Sequence, residues 1–80
     1  MPSKKLIVEI LRNNGYKYKD RSYRREYYKR AGSTRRIPVP LTKLIDEQEA
    51  TAILRLAGIP NDEITRLLGA PDEDRPKKPT

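Results

Sequence analysis

The sequence predicts a small α+β domain in which amphipathic helices cover one face of a three-stranded antiparallel sheet. Apolar residues recur at helical spacing near the start of the chain and again in its second half. Between these segments, residues 16–39 form short runs of alternating side chains separated by turn residues, a pattern typical of strands. The predicted order is therefore helix, three-stranded antiparallel meander, helix and a short C-terminal helix.

The first helix has signals at both of its ends. Ser3 is a suitable N-cap, and Gly15 is a suitable stop after the last turn. The apolar residues between them recur at the spacing of one helix face, namely Leu6, Ile7, Ile10 and Leu11. We expect a helix that buries this stripe against the sheet.

Two strands are predicted after this helix, one beginning at Tyr16 and one over residues 23–30. Charged and aromatic side chains occupy both faces of the second strand, so its periodicity does not show which face is buried. We expect Tyr28 to point into the core, with Arg24 and Arg30 leaving the core at the two strand ends.

A turn at residues 31–34 precedes a third predicted strand over residues 35–39. Ile37 and Val39 are two residues apart in this strand and therefore share a face. Pro38 lacks the backbone N–H that a central strand needs, so the third strand is expected at an edge of the sheet.

Two more helices are predicted after the sheet. Asp46, followed by Glu49 three residues later, resembles a capping box, and Gly58 ends the helix that starts there. Asn61 can cap a short third helix. The inward faces of these two helices are Ala50, Ile53, Leu54 and Ala57, then Ile64, Leu67 and Leu68.

These elements are expected to form a single domain over residues 1–70, followed by a disordered tail over residues 71–80. The longest aliphatic run, residues 6–8, is far too short for a membrane span or a signal-peptide core. The absence of cysteine fits a reducing compartment. We therefore expect a cytoplasmic protein that does not contact membranes.

The composition also excludes many catalytic mechanisms. The chain has neither histidine nor cysteine, so it lacks the usual general base near neutral pH and the commonest metal ligands. No glycine-rich loop of a known phosphate-binding pattern is present. We therefore expect no metal ion and no cofactor, and we expect the scattered carboxylates to serve in helix capping and solubility.

Positive charge is concentrated in the middle of the chain. The net charge is +7, and residues 17–36 hold nine bases and two acids, whereas the rest of the chain is nearly balanced. Arginine pairs with phosphate and tyrosine stacks on bases, so this segment predicts a surface for nucleic acid, RNA above all. The candidate nucleic-acid-binding residues are Lys19, Arg21, Tyr23, Arg24, Arg25, Lys29, Arg30, Arg35 and Arg36.

Other interpretations stay open at this point. Tyr16, Tyr18 and Tyr28 are expected to pack in the core rather than to bind a ligand. A second function is an interaction module whose basic sheet face docks an acidic protein partner. A third is a small DNA-binding protein, although no helix-turn-helix is evident.

Several segments, spread over residues 3–69, resemble the HicA-like toxins of bacterial toxin–antitoxin pairs. The similar segments are LIVEILRNNGYKY, a serine ahead of an aromatic and basic strand, RRIPVP and ATAILRLAGIPNDEITRLL. The most specific pieces are Asn14-Gly15-Tyr16, Val39-Pro40 and the pair Ile53-Leu54 followed by Ala57-Gly58-Ile59. The resemblance implies the helix-strand-strand-strand-helix fold of a double-stranded RNA-binding domain. It further implies cleavage of messenger RNA by a toxin that a HicB-like antitoxin neutralises.

One feature of that family is missing, because its catalytic histidine at the start of the second strand has no counterpart here. Alignment from Ser22 puts Tyr23 at that position, whereas alignment through Tyr28 puts Arg25 there. Two residues apart in one strand, Tyr23 and Arg25 are expected to share the ligand face. Neither side chain accepts a proton readily at pH 7. We therefore expect RNA binding by a degenerate or atypical toxin-type ribonuclease.

Overall fold

The computed structural model describes residues 1–68, in which α1 and α2 pack on one face of a three-stranded antiparallel sheet and α3 packs on α2. The elements in chain order are α1 (Lys4–Asn13), β1 (Tyr16–Arg21), β2 (Arg25–Arg30), β3 (Arg36–Pro40), α2 (Glu47–Leu56) and α3 (Asn61–Leu68). The predicted α+β class and the predicted element order are confirmed. The domain end at residue 70 and the tail over residues 71–80 lie outside the described residues.

The ends of α1 form as the sequence predicts. The Ser3 hydroxyl accepts a hydrogen bond from the Leu6 N–H at 3.1 Å and so caps the helix. Gly15, just beyond α1, has a φ of 89°, a conformation that side chains with a Cβ adopt only with strain. A Cβ there would also lie 3.2 Å from the Arg30 side chain, so the tight connection from α1 to β1 depends on glycine.

The sheet order is β1-β2-β3, so β3 is an edge strand, as Pro38 predicts. The Leu41 N–H bonds to the Arg24 carbonyl, which shows that odd-numbered residues of this segment donate towards β2. Pro38 and Pro40 therefore take the positions whose N–H groups would point to the free edge. The prolines cost β3 no hydrogen bond within its own sheet.

The core lies between the sheet and the two helices that pack on it. Residues of all three strands and all three helices contribute to it, and they include Ile7, Leu11, Tyr16, Tyr28, Ile37, Val39, Ile45, Leu54 and Ile64. The expected inward orientation of Tyr28 is confirmed, because its side chain is 5% exposed. Tyr16 is also buried, and its hydroxyl donates to the Ala57 carbonyl at 3.2 Å, which ties β1 to the end of α2.

The expectation that Tyr18 packs in the core is wrong, because this residue is 53% exposed. Tyr18 pairs with Tyr28 and so lies on the inner face, but β1 is an edge strand and the helices leave much of its side chain uncovered. The ring packs edge-on against Tyr28, with 6.0 Å between the ring centres.

The two C-terminal helices begin near their predicted caps. Asp46 caps α2 by accepting a hydrogen bond from the Gln48 N–H at 3.0 Å. Arg55 donates to the Asn61 side chain at 2.7 Å and so joins the end of α2 to the start of α3. None of the helices in residues 1–68 is long and apolar enough to cross a membrane.

Candidate nucleic-acid interface

The outer face of the sheet, which is turned away from the helices, carries a row of three cations. On β2, Tyr28 faces the core, so Tyr27 and Lys29 point to the opposite side. Lys29 pairs with Lys17 on β1 and with Arg36 on β3. Directly opposed residues of antiparallel strands share a face. We name Lys17, Lys29 and Arg36 the cation row.

Arg25 extends this face towards the β1–β2 turn. It lies four residues before Lys29 in the same strand, which places the two side chains on one face about 13 Å apart. Arg25 is exposed, and its neighbour on β3 is Pro40, which brings no charge. The outer face is therefore cationic at both ends of β2.

The cation row opposes stability, because like charges that lie directly opposite each other destabilise a sheet. One carboxylate lies nearby: Asp20 is 3.7 Å from the Arg36 guanidinium, and both side chains are about half exposed. An exposed pair of this kind is weak. Arg36 also lies 4.7 Å from the centre of the Tyr27 ring, which restricts its position. Much of the positive charge on this face remains available to an external anion.

Carboxylates of the later helices do not neutralise this surface. Residues 1–68 contain two salt bridges, Arg36 with Asp20 and Lys4 with Glu26, and the second lies on the inner side of the sheet. The acidic groups of α2 and α3 are therefore not paired with the cation row within the described part of the chain.

The β1–β2 turn forms a prominent tip. The Ser22 N–H donates to the Arg25 carbonyl at 2.8 Å and closes a two-residue turn that consists of Tyr23 and Arg24. Tyr23 is 87% exposed, and the Arg24 guanidinium lies 5.6 Å from its ring centre. The predicted start of the second strand at residue 23 is wrong, because the chain is still turning there. Strand alternation therefore does not place Tyr23 on the face of Arg25.

Two further predicted residues lie on β1 beside this tip. The register of β1 shifts between Tyr18 and Asp20, so Lys19 lies at an irregularity and is exposed. Arg21 pairs with Glu26 and lies on the inner side of the sheet, where its charge helps to lower the pKa of that carboxyl group. Lys19 is thus available to a ligand at the edge of the sheet, whereas Arg21 is exposed on the inner side.

The side chains of Arg30 and Arg35 make contacts within the domain instead. The Arg30 guanidinium lies 4.8 Å from the centre of the buried Tyr16 ring and donates to the Asn14 carbonyl at 3.4 Å. Arg35 donates to the Leu56 carbonyl at 3.0 Å, where a cation complements the negative end of α2. The nine predicted residues therefore divide, and the outer face and tip hold Arg25, Lys29, Arg36, Tyr23 and Arg24.

Lys17 is the member of the cation row that was not predicted. Its position between Tyr16 and Tyr18 carries the signal: once both tyrosines are assigned to the inner face, alternation sends Lys17 to the outer face. Its opposition to Lys29 depends on the strand register, which the sequence alone does not give.

A cavity of about 910 Å³ lies on the inner side of the sheet, between α1 and β2. Its charged groups are partly paired, because Lys4 lies 3.0 Å from Glu26 and the Tyr28 hydroxyl donates to the same carboxylate at 3.0 Å. Burial and the bond to Glu26 raise the pKa of Tyr28 to about 12. Burial also tends to raise the pKa of Glu26, but hydrogen bonds from Lys4 and Tyr28 outweigh it and lower that pKa. This network stabilises the fold at neutral pH.

Residues 1–68 contain no group of three acidic side chains placed to hold a metal ion. Comparison of the chain with protein-family models, with curated proteins and with solved structures found no match. The fold and the surface thus define a small α+β domain with one cationic sheet face. The relation to HicA-like toxins stays a prediction from the sequence.

Proposed function

We propose that this protein binds RNA through the outer face of its sheet. The observation that carries the proposal is the cation row, with Arg25 beside it, on a face where one weak carboxylate contact offsets several positive charges. Such a surface lowers its electrostatic free energy when phosphates bind and release counterions. The charge would also raise the rate of encounter with a polyanion.

RNA is favoured over duplex DNA by the chemistry of the two C-terminal helices, α2 and α3. A helix that reads the major groove of DNA brings its N-terminal residues to the bases. In α2 the first turn holds Glu47 and Glu49, and in α3 it holds Asp62 and Glu63. These carboxylates would repel DNA phosphates. A sheet with exposed cations and aromatic rings is instead a known way to bind RNA.

The resemblance to HicA-like toxins makes messenger RNA in the cytoplasm the proposed target and an acidic, HicB-like antitoxin a proposed partner. Binding on this surface needs no histidine, whereas efficient cleavage needs a proton acceptor. We therefore assign binding to the outer face and no cleavage step to any of its residues.

The proposal is tested with a double variant and a control of equal charge. Arg25→Ala with Lys29→Ala removes two cations from the outer face. Lys5→Ala with Lys43→Ala removes two exposed cations that line the cavity on the opposite side of the sheet. Affinity for a labelled RNA hairpin is measured by fluorescence anisotropy at several salt concentrations.

The outer-face variant should lose at least about tenfold in affinity near 0.1 M salt, and the slope of log affinity against log salt should fall by about one to two. The control should bind nearly as well as the wild type. Equal losses in both variants would show that the net charge, rather than this face, attracts RNA. A shallow slope in the wild type, with tight binding to an acidic protein, would support the partner-docking function instead.

A further inference from the structure

A second cleft lies at the end of the sheet opposite the cation row, between the β1–β2 turn and the segment that follows β3. Its volume is about 480 Å³, within the range of about 300–1,000 Å³ in which small ligands bind. The two walls are joined by backbone contacts. The Leu41 N–H donates to the Arg24 carbonyl at 3.2 Å, and Arg25 pairs with Pro40.

The β1–β2 turn forms one wall of the cleft, and its residues are not the ones that a tight turn prefers. Two-residue hairpin turns favour sequences such as Asn-Gly, whereas this turn consists of Tyr23 and Arg24. The Tyr23 ring is 87% exposed, so it adds little to the core. Residues that depart from the local structural preference are often found at functional sites.

The opposite wall contributes a carboxylate. Glu49 lines the cleft from the first turn of α2, and neither salt bridge within residues 1–68 involves it. The predicted capping box is not completed, because Glu49 makes no hydrogen bond to the Asp46 N–H within residues 1–68. The cleft thus combines an exposed aromatic ring, the cations Arg24 and Arg25, and one carboxylate.

These groups match one kind of nucleotide. A tyrosine ring stacks on any base, and arginine binds the adjoining phosphate. A carboxylate accepts two hydrogen bonds side by side, and the guanine edge with N1–H and the N2 amino group presents two adjacent donors. Adenine, cytosine and uracil each place an acceptor next to their donor on the corresponding edge, where a carboxylate repels it.

We propose that this cleft binds an unpaired guanine nucleotide of the RNA, with Tyr23 stacked on the base, Glu49 at its donor edge and Arg25 at the phosphate. This inference rests on the proposed RNA binding and deepens it. The cation row holds the RNA regardless of sequence, and the cleft selects RNAs in which a guanine is free of its partner.

The test uses RNA hairpins of one length that carry a single bulged G, A, C or U, together with a fully paired hairpin. Affinities are measured at fixed salt for the wild type, Glu49→Gln, Tyr23→Ala and Tyr23→Phe. Glu47→Gln is the matched control, since it removes the same charge from the same helical turn but Glu47 does not line the cleft.

The wild type should bind the bulged-G hairpin about tenfold more tightly than the bulged-A hairpin. Glu49→Gln should lose most of this preference and still bind the paired hairpin, whereas Glu47→Gln should keep it. Tyr23→Ala should weaken binding to the bulged hairpins, and Tyr23→Phe should restore it because stacking needs only the ring.

Equal binding of all five hairpins by the wild type would overturn the cleft assignment and leave the proposed function intact. A guanine preference that survives in Glu49→Gln would also overturn it. No binding to any hairpin would overturn the proposed function, and the cleft assignment would fall with it.

Discussion

The two faces of the sheet differ in what their side chains do for the fold. On the inner face, apolar side chains are buried, and Glu26 at its margin is paired with Lys4. On the outer face, Lys17, Lys29 and Arg36 oppose one another across three strands. The inner face follows the physics of folding. The cations of the outer face repel one another and so oppose folding, which is expected of residues that serve binding.

The largest expected effect is a difference in stability between substitutions at two adjacent residues of β3. Ile37 is fully buried on the inner face, so Ile37→Ala should lower the free energy of unfolding by about 2–5 kcal/mol. Arg36, the preceding residue, points outward, and Arg36→Ala should change the free energy of unfolding by less than about 1 kcal/mol. Urea denaturation measures both values. Similar losses in the two variants would mean that the faces do not differ as described.

The next effect concerns the paired charges of the inner side. The pKa of Glu26 is lower in the folded protein than its ordinary value. Its ionised form therefore stabilises the fold above the ordinary pKa of about 4.3, and this contribution is lost as the pH falls through the folded pKa. Glu26→Gln should cost about 1–2 kcal/mol at pH 7, because Lys4 loses its partner.

The pH profile distinguishes Glu26 from the exposed acids. Melting temperatures measured from about pH 7 to about pH 2 should fall less steeply in Glu26→Gln than in the wild type. The profile of Glu47→Gln, an exposed acid at the start of α2, should follow that of the wild type. Parallel profiles for Glu26→Gln and the wild type would show that the contact with Lys4 is not important for stability.

A smaller effect of opposite sign is expected on the outer face. Lys29→Glu places a negative charge between Lys17 and Arg36, so it should raise the free energy of unfolding by about 0.5 kcal/mol at low salt. Salt should reduce the difference by screening. The same variant should lose RNA binding. A variant that is both less stable and fully able to bind RNA would contradict the role of the cation row.

The smallest effect on binding should come from an arginine that the fold already uses. Arg35 donates to the Leu56 carbonyl at the end of α2, so Arg35→Ala should change RNA affinity by no more than about twofold. It should instead lower stability by about 0.5–1 kcal/mol through the lost contact at the helix end. Fluorescence anisotropy and thermal unfolding measure the two properties. A large loss of RNA binding would place Arg35 in the interface.

The sequence was sufficient for the element order because caps, glycines and apolar spacing are local signals. Ser3 and Asp46 cap the predicted helices, and Pro38 lies in an edge strand. The exposure of Tyr18 was not predictable in this way, since it depends on how far the helices extend over β1. Local signals determine the elements, and packing between elements determines which rings are covered.

The candidate interface was predicted as a segment but not as a surface. Clustering along the chain grouped Arg30 and Arg35 with Arg25, although the first two bind backbone carbonyls of the fold. The outer face requires the strand register, and register joins Lys17 to Lys29 across a turn. Glu49 is distant in sequence from Tyr23, so only the folded chain brings the two into one cleft.

The prolines of β3 affect how readily the protein associates with other copies at high concentration. A free strand edge with its full set of N–H donors is a template on which another chain can assemble into an aggregate. Along the free side of β3, Pro38 and Pro40 remove two consecutive donors. This side of β3 is therefore a poor template for pairing with another chain, which should keep copies of the domain separate at high concentration.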